Sequence, residues 1–408
     1  MTHTSINGGR LLRRLETFNE IGALPGGGNC RLALSDEDRQ GRDLLVTWMK
    51  ELGLAVSVDA IGNIFGLRAG AESLDPVMVG SHIDTVGTGG RYDGLYGVLA
   101  GLEALESLND AGATTRRPVA LAAFTNEEGS RFAPFALGSL VHVGALSLDD
   151  AYAIKGIDGA SVGDELRRIG YAGAARPGAI KAHAYFELHI EQGPILEDEG
   201  LSIGAVEGVQ GLSWSELTIE GQSGHAGATP MRLRHDAAYV AAEIAVCVRR
   251  IAREFGGYQV GTVGRLELQP GLVNVIAGRA TMTVDLRNID EPLLQDAEAR
   301  LATFVAELAA REGVSVKTRS LARFAPVIFP ETMVSMVQEV AQARGLSSRR
   351  LPSGAGHDAQ MMARVCPSGM IFVPSVGGLS HNVREYTVPK DLEAGANVLL
   401  GLIERLAR

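Results

Sequence analysis

Four short apolar runs rich in β-forming residues recur along this chain, and helical patterns separate them. The runs are residues 77–80, 119–124, 185–189 and 370–373. Such runs are typical of strands that are buried on both faces of a sheet. Between the first two, residues 93–111 place apolar side chains at helical spacing, and Gly112 follows as a stop. The pattern therefore predicts an α/β fold that begins with a strand, a crossover helix and a second strand.

A different order of elements occupies the middle of the chain. It reads strand (213–220), helix (235–255), strand (259–268), strand (279–287), helix (292–311) and strand (314–320). This βαββαβ order is ferredoxin-like. Because the first pattern resumes with residues 370–373 and a closing helix at 390–408, we predict an insertion at 213–324. The larger domain is then discontinuous, at 1–212 and 325–408, and a chain of 408 residues is long enough for two domains.

Composition and charge indicate which partners and which cellular compartment suit this chain. The chain has 38 Lys+Arg and 48 Asp+Glu, a net charge of −10, and it lacks the basic stripe that nucleic-acid binding requires. Residues 1–18 carry charges among their leucines, unlike a secretory signal, and we expect no membrane span. The cysteines Cys30, Cys247 and Cys366 are far apart and odd in number, which fits a reducing cytoplasm.

Histidines and carboxylates follow the predicted strands, at the place where ligands bind in open α/β sheets. His82 ends the first strand, and the adjacent Glu127 and Glu128 follow the second. His189 ends the third, and His381 comes after the fourth and a glycine-rich turn. We expect these side chains to meet at one rim of the sheet.

Imidazole nitrogens and carboxylate oxygens are ligands of Zn²⁺ and related divalent ions. A pair of ions about 3.5 to 4 Å apart needs a shared ligand, and a carboxylate can bridge where an imidazole normally does not. Asp93 suits this role because it lies at a predicted helix start, where negative charge is favoured. Alone, Asp93 is typical of a helix N-cap and His189 of a core histidine. Together the five residues indicate a two-metal site with the ligands His82, Asp93, Glu128, His189 and His381.

Adjacent glutamates at a strand end point in different directions, so one can bind metal while its neighbour accepts a proton from water. We assign Glu128 as the ligand and Glu127 as the general base. Asp84, two residues after His82, is predicted to accept the second imidazole N–H of that histidine and to fix its tautomer. The alternative for Asp84 is a solvated turn residue.

These residues together resemble the M20-type metallohydrolases, and within them the hydantoinase/carbamoylase branch. The branch includes N-carbamoyl-L-amino acid hydrolases, allantoate amidohydrolases and β-ureidopropionases. The resemblance runs over essentially the whole chain, with the motif-like stretches 80–86, 89–97, 124–132, 187–194, 221–230, 354–359 and 379–382 in order. It implies a zinc-peptidase-like catalytic domain, with a mixed sheet flanked by helices, and an inserted lid domain.

The resemblance also implies two divalent metal ions per subunit, Zn²⁺ or Mn²⁺, Co²⁺ or Ni²⁺, on the five ligands named above. Glu127 matches the general base of the family. Peptidase members carry an acidic ligand where this chain has His189, which disfavours a peptidase. The family further suggests a cis peptide bond between Asp93 and Gly94.

In such enzymes the inserted domain is a lid and a dimerisation module, so the resemblance predicts a homodimer. His225 matches the histidine that reaches the partner's active site and stabilises the oxyanion. A polar loop histidine is the alternative. By the same match Arg287 binds the substrate carboxylate, as a guanidinium does well, and Asn274 lies near the reacting amide.

Two further stretches are predicted to contact substrate. Gln192 can both donate to and accept from a ureido group. Gly356, in the stretch 354–358, offers a backbone N–H. The neighbouring His357 and Asp358 are as readily structural as functional.

The predicted reaction is hydrolysis of the ureido C–N bond of an N-carbamoyl-L-amino acid to amino acid, ammonia and carbon dioxide. The motifs do not separate it from allantoate amidohydrolase or β-ureidopropionase activity. His189 and Gln192 disfavour an aminoacylase or peptidase of the same architecture. A non-enzymatic binding module with a retained metal site is disfavoured by the complete ligand set and by Glu127.

Overall fold

The computed structural model of the protein describes residues 4–408. Contacts divide the described chain into a larger unit, which runs to residue 208 and resumes at 329–408, and a smaller unit at 209–328. These dividing points lie a few residues outside the 213–324 expected for the inserted domain.

Helices and strands alternate through the first part of the larger unit: α1 (Gly8–Asn19), α2 (Asp36–Glu51), β1 (Ala55–Val58), β2 (Ile64–Arg68), β3 (Val77–His82), α3 (Leu95–Asp110), β4 (Val119–Phe124), α4 (Leu137–His142), α5 (Leu148–Ala153), α6 (Val162–Ile169), β5 (Ala184–Ile190), α7 (Ile195–Asp198) and β6 (Ile203–Val209). The following stretch contains β7 (Gly211–Glu220), β8 (Gly224–His225), α8 (Ala237–Phe255), β9 (Val260–Gln269), β10 (Val275–Ile276), β11 (Arg279–Asn288), α9 (Glu291–Glu312), β12 (Ser315–Phe324) and β13 (Val327–Ile328). The chain closes with α10 (Glu331–Ala343), β14 (Ser348–Ser353), α11 (Asp358–Met362), β15 (Ser368–Val373) and α12 (Pro389–Leu406).

The sheet of the larger unit is mixed. Strand β3 pairs in parallel with β4 and β5, and β5 pairs in parallel with β15. Strands β2 and β6 join this group antiparallel, in the order β1-β2-β4-β3-β5-β15-β6. The four parallel strands are the four apolar runs of the sequence, and every residue in them is buried. Their carboxyl ends therefore meet at one edge, which confirms the predicted α/β fold with its mixed sheet.

Helix α3 is the crossover between β3 and β4. It is preceded by Gly94, whose φ of 65° and ψ of −52° suit a glycine, and it is buried along nearly its whole length. The helix packs against β3 and α12, so it is apolar on almost every side. This packing fixes the start of α3, and with it Asp93, at the carboxyl edge of the sheet.

The smaller unit has its own core. Its strands β12, β7, β11 and β9 form an antiparallel sheet in that order, and α8 and α9 pack on it. Burial alternates along β11, as expected for a strand with one face on the core. The predicted strands and helices of this unit lie within a few residues of the observed ones. Among the helices of residues 4–408, none has the length and apolar character needed to cross a bilayer.

Candidate active site

The carboxylate of Asp93 lies at the centre of the site. Its Oδ1 is 3.1 Å from Nε2 of His189 and 3.7 Å from Nε2 of His82. Its Oδ2 is 3.3 Å from Nε2 of His381, which in turn lies 3.2 Å from Oε2 of Glu128. The structure therefore brings the five predicted ligands together, with Asp93 between two groups of donors.

Different elements deliver these donors to one edge of the sheet. His82 is the last residue of β3, His189 lies near the end of β5, and Glu128 follows β4. His381 comes from the segment after β15, where its φ of 52° turns the backbone sharply. Its side chain is 49% exposed, whereas the other four are buried, so one side of the cluster is open to solvent.

The donor set fits divalent metal ions. Two groups have ligand atoms within 4.8 Å of one another: His82, Asp93 and His189, and Asp93, Glu128 and His381. Asp93 belongs to both groups, as a bridging carboxylate would. Oε1 of Glu128 is buried and has no hydrogen-bond partner, which leaves an acceptor free for a cation.

A third group comprises Glu187, His189 and His357. The atoms of Glu187 and His357 that could bind a metal ion already form hydrogen bonds within the protein. The carboxylate of Glu187 accepts from the hydroxyl of Ser81 at 2.6 Å and from the N–H of Ala359 at 2.7 Å. Nε2 of His357 lies 2.8 Å from the hydroxyl of Ser353. These bonds favour a structural role for Glu187 and His357 beneath the site.

The histidines of the cluster have strongly shifted pKa values. Burial lowers the pKa of His82 to about 4. Burial is the largest single influence on His189 and acts to lower its pKa, but the hydrogen bond and the charge of Asp93, together with Glu187 and the carbonyl of Ile190, outweigh it and raise the pKa to about 9. Hydrogen bonds with Asp93 and Glu128 raise the pKa of His381 to about 11. Metal ligation needs neutral imidazoles, so these two rings must lose protons when an ion binds.

Burial and neighbouring carboxylates raise the pKa values of the two glutamates that follow β4. Burial, Asp358 and Glu128 raise the pKa of Glu127 well above its ordinary value. Burial and Asp93 also raise that of Glu128. Oε2 of Glu127 lies 3.4 Å from Nε2 of His82, so the carboxylate faces the donor cluster. A raised pKa suits a group that accepts and returns a proton near neutral pH.

The predicted contact of Asp84 is wrong in one respect. Nδ1 of His82 lies 3.0 Å from the backbone carbonyl of Asp84 but 3.8 Å from its carboxylate. The carboxylate instead accepts from the N–H groups of Glu127, at 3.1 Å, and Glu128, at 3.3 Å. Asp84 therefore fixes the His82 ring through its main chain and the loop after β4 through its side chain.

The expected cis bond between Asp93 and Gly94 is also absent. Within residues 4–408 the cis peptides are Ala133–Pro134 and Gln269–Pro270. The positive φ of Gly94 redirects the chain instead, and its backbone nitrogen lies 3.1 Å from Nε2 of His189.

Three polar side chains complete the surroundings of Asp93. The Gln192 amide donates to Oδ2 of Asp93 at 2.9 Å, while its own Oε1 is buried without a partner. Ser380 Oγ lies 3.0 Å from the same oxygen. Glu385 accepts from the N–H of Asp93 at 3.2 Å. The contacts of Ser380 and Glu385 with Asp93 were not predicted from the sequence, because no periodicity links the segment after β15 to the start of α3.

His225 and Asn274 lie in the smaller unit, where the short strands β8 and β10 pair and place Val275 opposite His225. Nδ1 of His225 accepts from the N–H groups of Gly227 and Ala228, at 3.1 and 3.2 Å. In the neutral ring the proton is then on Nε2, because Nδ1 acts as the acceptor. The exposed ring of His225 can therefore donate from Nε2.

Arg287 also lies in the smaller unit, near the end of β11. Its guanidinium donates to the carboxylate of Asp285 from Nε, at 3.1 Å, and from a terminal nitrogen, at 2.9 Å. It also lies 5.7 Å from the ring centre of Trp214. These contacts orient the guanidinium, and a substrate carboxylate would have to compete with Asp285 for it.

Comparison with known proteins assigns the chain to a family. The sequence model of the peptidase family M20/M25/M40 matches residues 78–405. The chain belongs to this family. An N-carbamoyl-L-amino-acid amidohydrolase of Rhizobium meliloti is 44% identical over 395 residues, which cover 97% of this chain and 95% of that protein.

Two further comparisons bear on the branch of the family. A crystal structure of an amidase of the hydantoinase/carbamoylase family from Burkholderia multivorans superimposes with a TM-score of 0.97 at 46% identity, and the match covers 99% of this chain and 98% of that one. A ureidoglycolate hydrolase of Arabidopsis thaliana is 35% identical over 422 residues, 99% of this chain and 87% of that protein. The predicted resemblance to this branch is confirmed.

Proposed function

We propose that the chain hydrolyses N-carbamoyl-L-amino acids to the amino acid, ammonia and carbon dioxide. The observation that carries the proposal is the cluster of five donors around Asp93 with Glu127 beside it, in a chain so similar to an N-carbamoyl-L-amino-acid amidohydrolase. One water is consumed, the ureido C–N bond breaks, and the resulting carbamic acid decomposes to ammonia and carbon dioxide.

Two divalent ions would be held by His82, His189 and Asp93 and by Asp93, Glu128 and His381. When bound, such ions supply Lewis acidity that polarises the ureido carbonyl and makes water a better nucleophile. Zn²⁺, Mn²⁺, Co²⁺ and Ni²⁺ all suit this set of nitrogen and oxygen donors.

Glu127 is the proposed proton carrier. Its carboxylate accepts a proton from the attacking water and returns it to the leaving nitrogen, so one group acts first as base and then as acid. The backbone anchoring by Asp84 supports this role because it fixes the amides of both Glu127 and Glu128. The burial of Glu127 favours the protonated form in the interval between the two transfers.

The remaining predicted contacts orient the substrate. The unpartnered Oε1 of Gln192 would accept an N–H of the ureido group, and Gly356 would donate its backbone N–H. Arg287 would bind the carboxylate and Asn274 the reacting amide. His225 would donate from Nε2 to the developing oxyanion, in keeping with the acceptor role of its Nδ1.

The smaller unit is proposed to act as a lid and as the dimerisation module of a cytoplasmic homodimer, in which His225 serves the partner's site. Closure of such a lid would exclude water and bring the substrate contacts together. A stable dimer by sedimentation, and recovery of activity on mixing a Glu127→Gln protein with a His225→Ala protein, would support shared sites. Failure of the mixture to regain activity would refute them.

Ammonia release by the Mn²⁺-reconstituted protein tests the reaction. N-carbamoyl-L-methionine, its D enantiomer, allantoate and N-acetyl-L-methionine are compared at equal concentration. The proposal predicts fastest turnover of the L-carbamoyl compound and negligible turnover of the D form. Product amino acid is measured in parallel, because N-acetyl-L-methionine releases no ammonia.

Hydrolysis of a ureido acid from purine breakdown is the second candidate. The similarity to a ureidoglycolate hydrolase favours it, and allantoate offers the same carboxylate and ureido groups. Faster turnover of allantoate or ureidoglycolate than of N-carbamoyl-L-methionine would establish this candidate and leave the residue assignments in place.

A further inference from the structure

Glu385 is a buried carboxylate that lies directly behind Asp93. Its Oε1 accepts from two successive backbone N–H groups, that of Tyr92 at 2.8 Å and that of Asp93 at 3.2 Å. These amides immediately precede α3, where a negative charge is favourable. Helix α3 has Gly94 at its N-cap and therefore no side-chain cap of its own. Glu385 supplies the hydrogen-bond acceptor that the local sequence lacks.

The second oxygen of Glu385 connects to the side chain of Asp93. Oε2 lies 3.0 Å from the hydroxyl oxygen of Ser380, which lies 3.0 Å from Oδ2 of Asp93. The amide of Gln192 donates to the same hydroxyl at 3.3 Å. Glu385 therefore contacts both the main chain of Asp93 and, through one hydroxyl, its metal-facing carboxylate.

Close packing supports the same arrangement. A Cβ added to Gly90 would lie 2.0 Å from the carboxylate carbon of Glu385, so the loop before α3 closes tightly over this side chain. Ser380, His381 and Glu385 belong to one short segment after β15. The Glu385 carboxylate thereby joins the segment that carries His381 to the loop that carries Asp93.

We propose that Glu385 is a positioning residue of the metal centre. It holds the Asp93 loop against the His381 segment, so that one oxygen of Asp93 faces His82 and His189 and the other faces His381. The inference rests on the metal centre of the proposed function. It requires no particular substrate, and metal binding therefore tests it separately from turnover.

Three variants separate positioning from general stability. In Glu385→Gln the amide oxygen keeps both backbone bonds and the amide N–H donates to Ser380, so the geometry is preserved. Glu385→Ala removes every link. Glu103→Ala is the matched control, because Glu103 is also fully buried, accepts the N–H of Asn7 at 2.9 Å, and lies on α3 away from its start.

Mn²⁺ is titrated into each metal-stripped protein, with bound metal counted and the exchange-coupled signal of a bridged Mn²⁺ pair followed by electron paramagnetic resonance. Glu385→Ala should weaken the second Mn²⁺ affinity by about 10- to 100-fold and lose the coupled signal, as outer contacts of metal ligands typically do. Glu385→Gln should stay within a few-fold of wild type. Glu103→Ala should lower the melting temperature but keep both the affinity and the signal.

Wild-type Mn²⁺ affinity and coupling in Glu385→Ala would overturn the proposal, and so would equal losses in Glu103→Ala. If Glu385→Ala does not fold, Ser380→Ala provides the test, because it cuts the link from Glu385 to the Asp93 carboxylate and leaves the two backbone bonds of Glu385 in place. Ser380→Ala should weaken the second Mn²⁺ affinity and reduce the coupled signal. Wild-type Mn²⁺ affinity and coupling in Ser380→Ala would refute the link through Ser380. Loss of ureido activity with normal Mn²⁺ binding would concern the proposed reaction and leave Glu385 in its role.

Discussion

Replacement of Gly94 by alanine should disrupt the proposed metal centre through one methyl group. An added Cβ would lie 2.3 Å from both Cε1 and Nε2 of His82, far inside normal contact distance. The ring cannot easily retreat, because it is buried and its Nδ1 is held 3.0 Å from the carbonyl of Asp84. The ligand nitrogen itself is therefore the atom that must move.

The magnitude follows from two terms. The backbone at Gly94, with φ of 65° and ψ of −52°, costs a non-glycine residue about 1 to 3 kcal/mol. Overpacking against a fixed ring adds about 1 to 3 kcal/mol. The sum of about 2 to 6 kcal/mol is a large part of a typical folding free energy of about 5 to 15 kcal/mol. We expect a lower melting temperature together with a loss of metal.

Thermal unfolding and metal analysis of Gly94→Ala are compared with Gly112→Ala. Gly112 also has a positive φ, of 60°, but an added Cβ there meets nothing within 4 Å. The control should lose only about 1 to 2 kcal/mol and keep its ions. A Gly94→Ala protein with the stability of the control and full metal content would show that the added methyl group does not displace the ring of His82.

Three further predictions concern the site. The apparent Mn²⁺ association constant should rise steeply from pH 6 to pH 9. The cause is that His189, with a pKa of about 9, and His381, with a pKa of about 11, must lose a proton before they bind the ion. An association constant that calorimetry finds independent of pH would contradict this. His225→Ala should lower kcat by about 10²- to 10³-fold with little change in KM, since the proposed oxyanion donor is lost. An unchanged kcat would remove that role. Arg287→Lys should raise KM for N-carbamoyl-L-methionine by about 10- to 100-fold, because an ammonium cannot replace a bidentate guanidinium. An unchanged KM would mean that the substrate carboxylate binds elsewhere.

The sequence predicted the parts of the molecule that depend on local periodicity. Buried parallel strands leave continuous apolar runs, and β3, β4, β5 and β15 are such runs. Polar residues directly after those runs then share one sheet edge, which is why His82, His189 and Glu128 were found together. The smaller unit was predicted equally well, since burial alternates along β11 and its helices α8 and α9 are long.

Long-range polar contacts could not be predicted from local periodicity. Glu385 reaches Asp93 from a segment almost 300 residues further along the chain, and no pattern in either stretch links them. The spacing of Asp84 and His82 indicated a contact but could not tell the main-chain oxygen from the carboxylate. The pairing of Arg287 with Asp285 had a usable signal, because residues two apart on a strand share a face.

The most direct test of the proposed function is the turnover of N-carbamoyl-L-methionine by Glu127→Gln, with bound metal counted in the same sample. The substituted amide cannot accept the proton, but none of the five donors is altered. The proposed function predicts two ions per chain in both the wild type and the variant, and a kcat of the variant lower by about 10²- to 10⁴-fold. A metal-loaded variant that retains more than about a tenth of wild-type activity would contradict the role of Glu127 and, with it, the proposed reaction at this site.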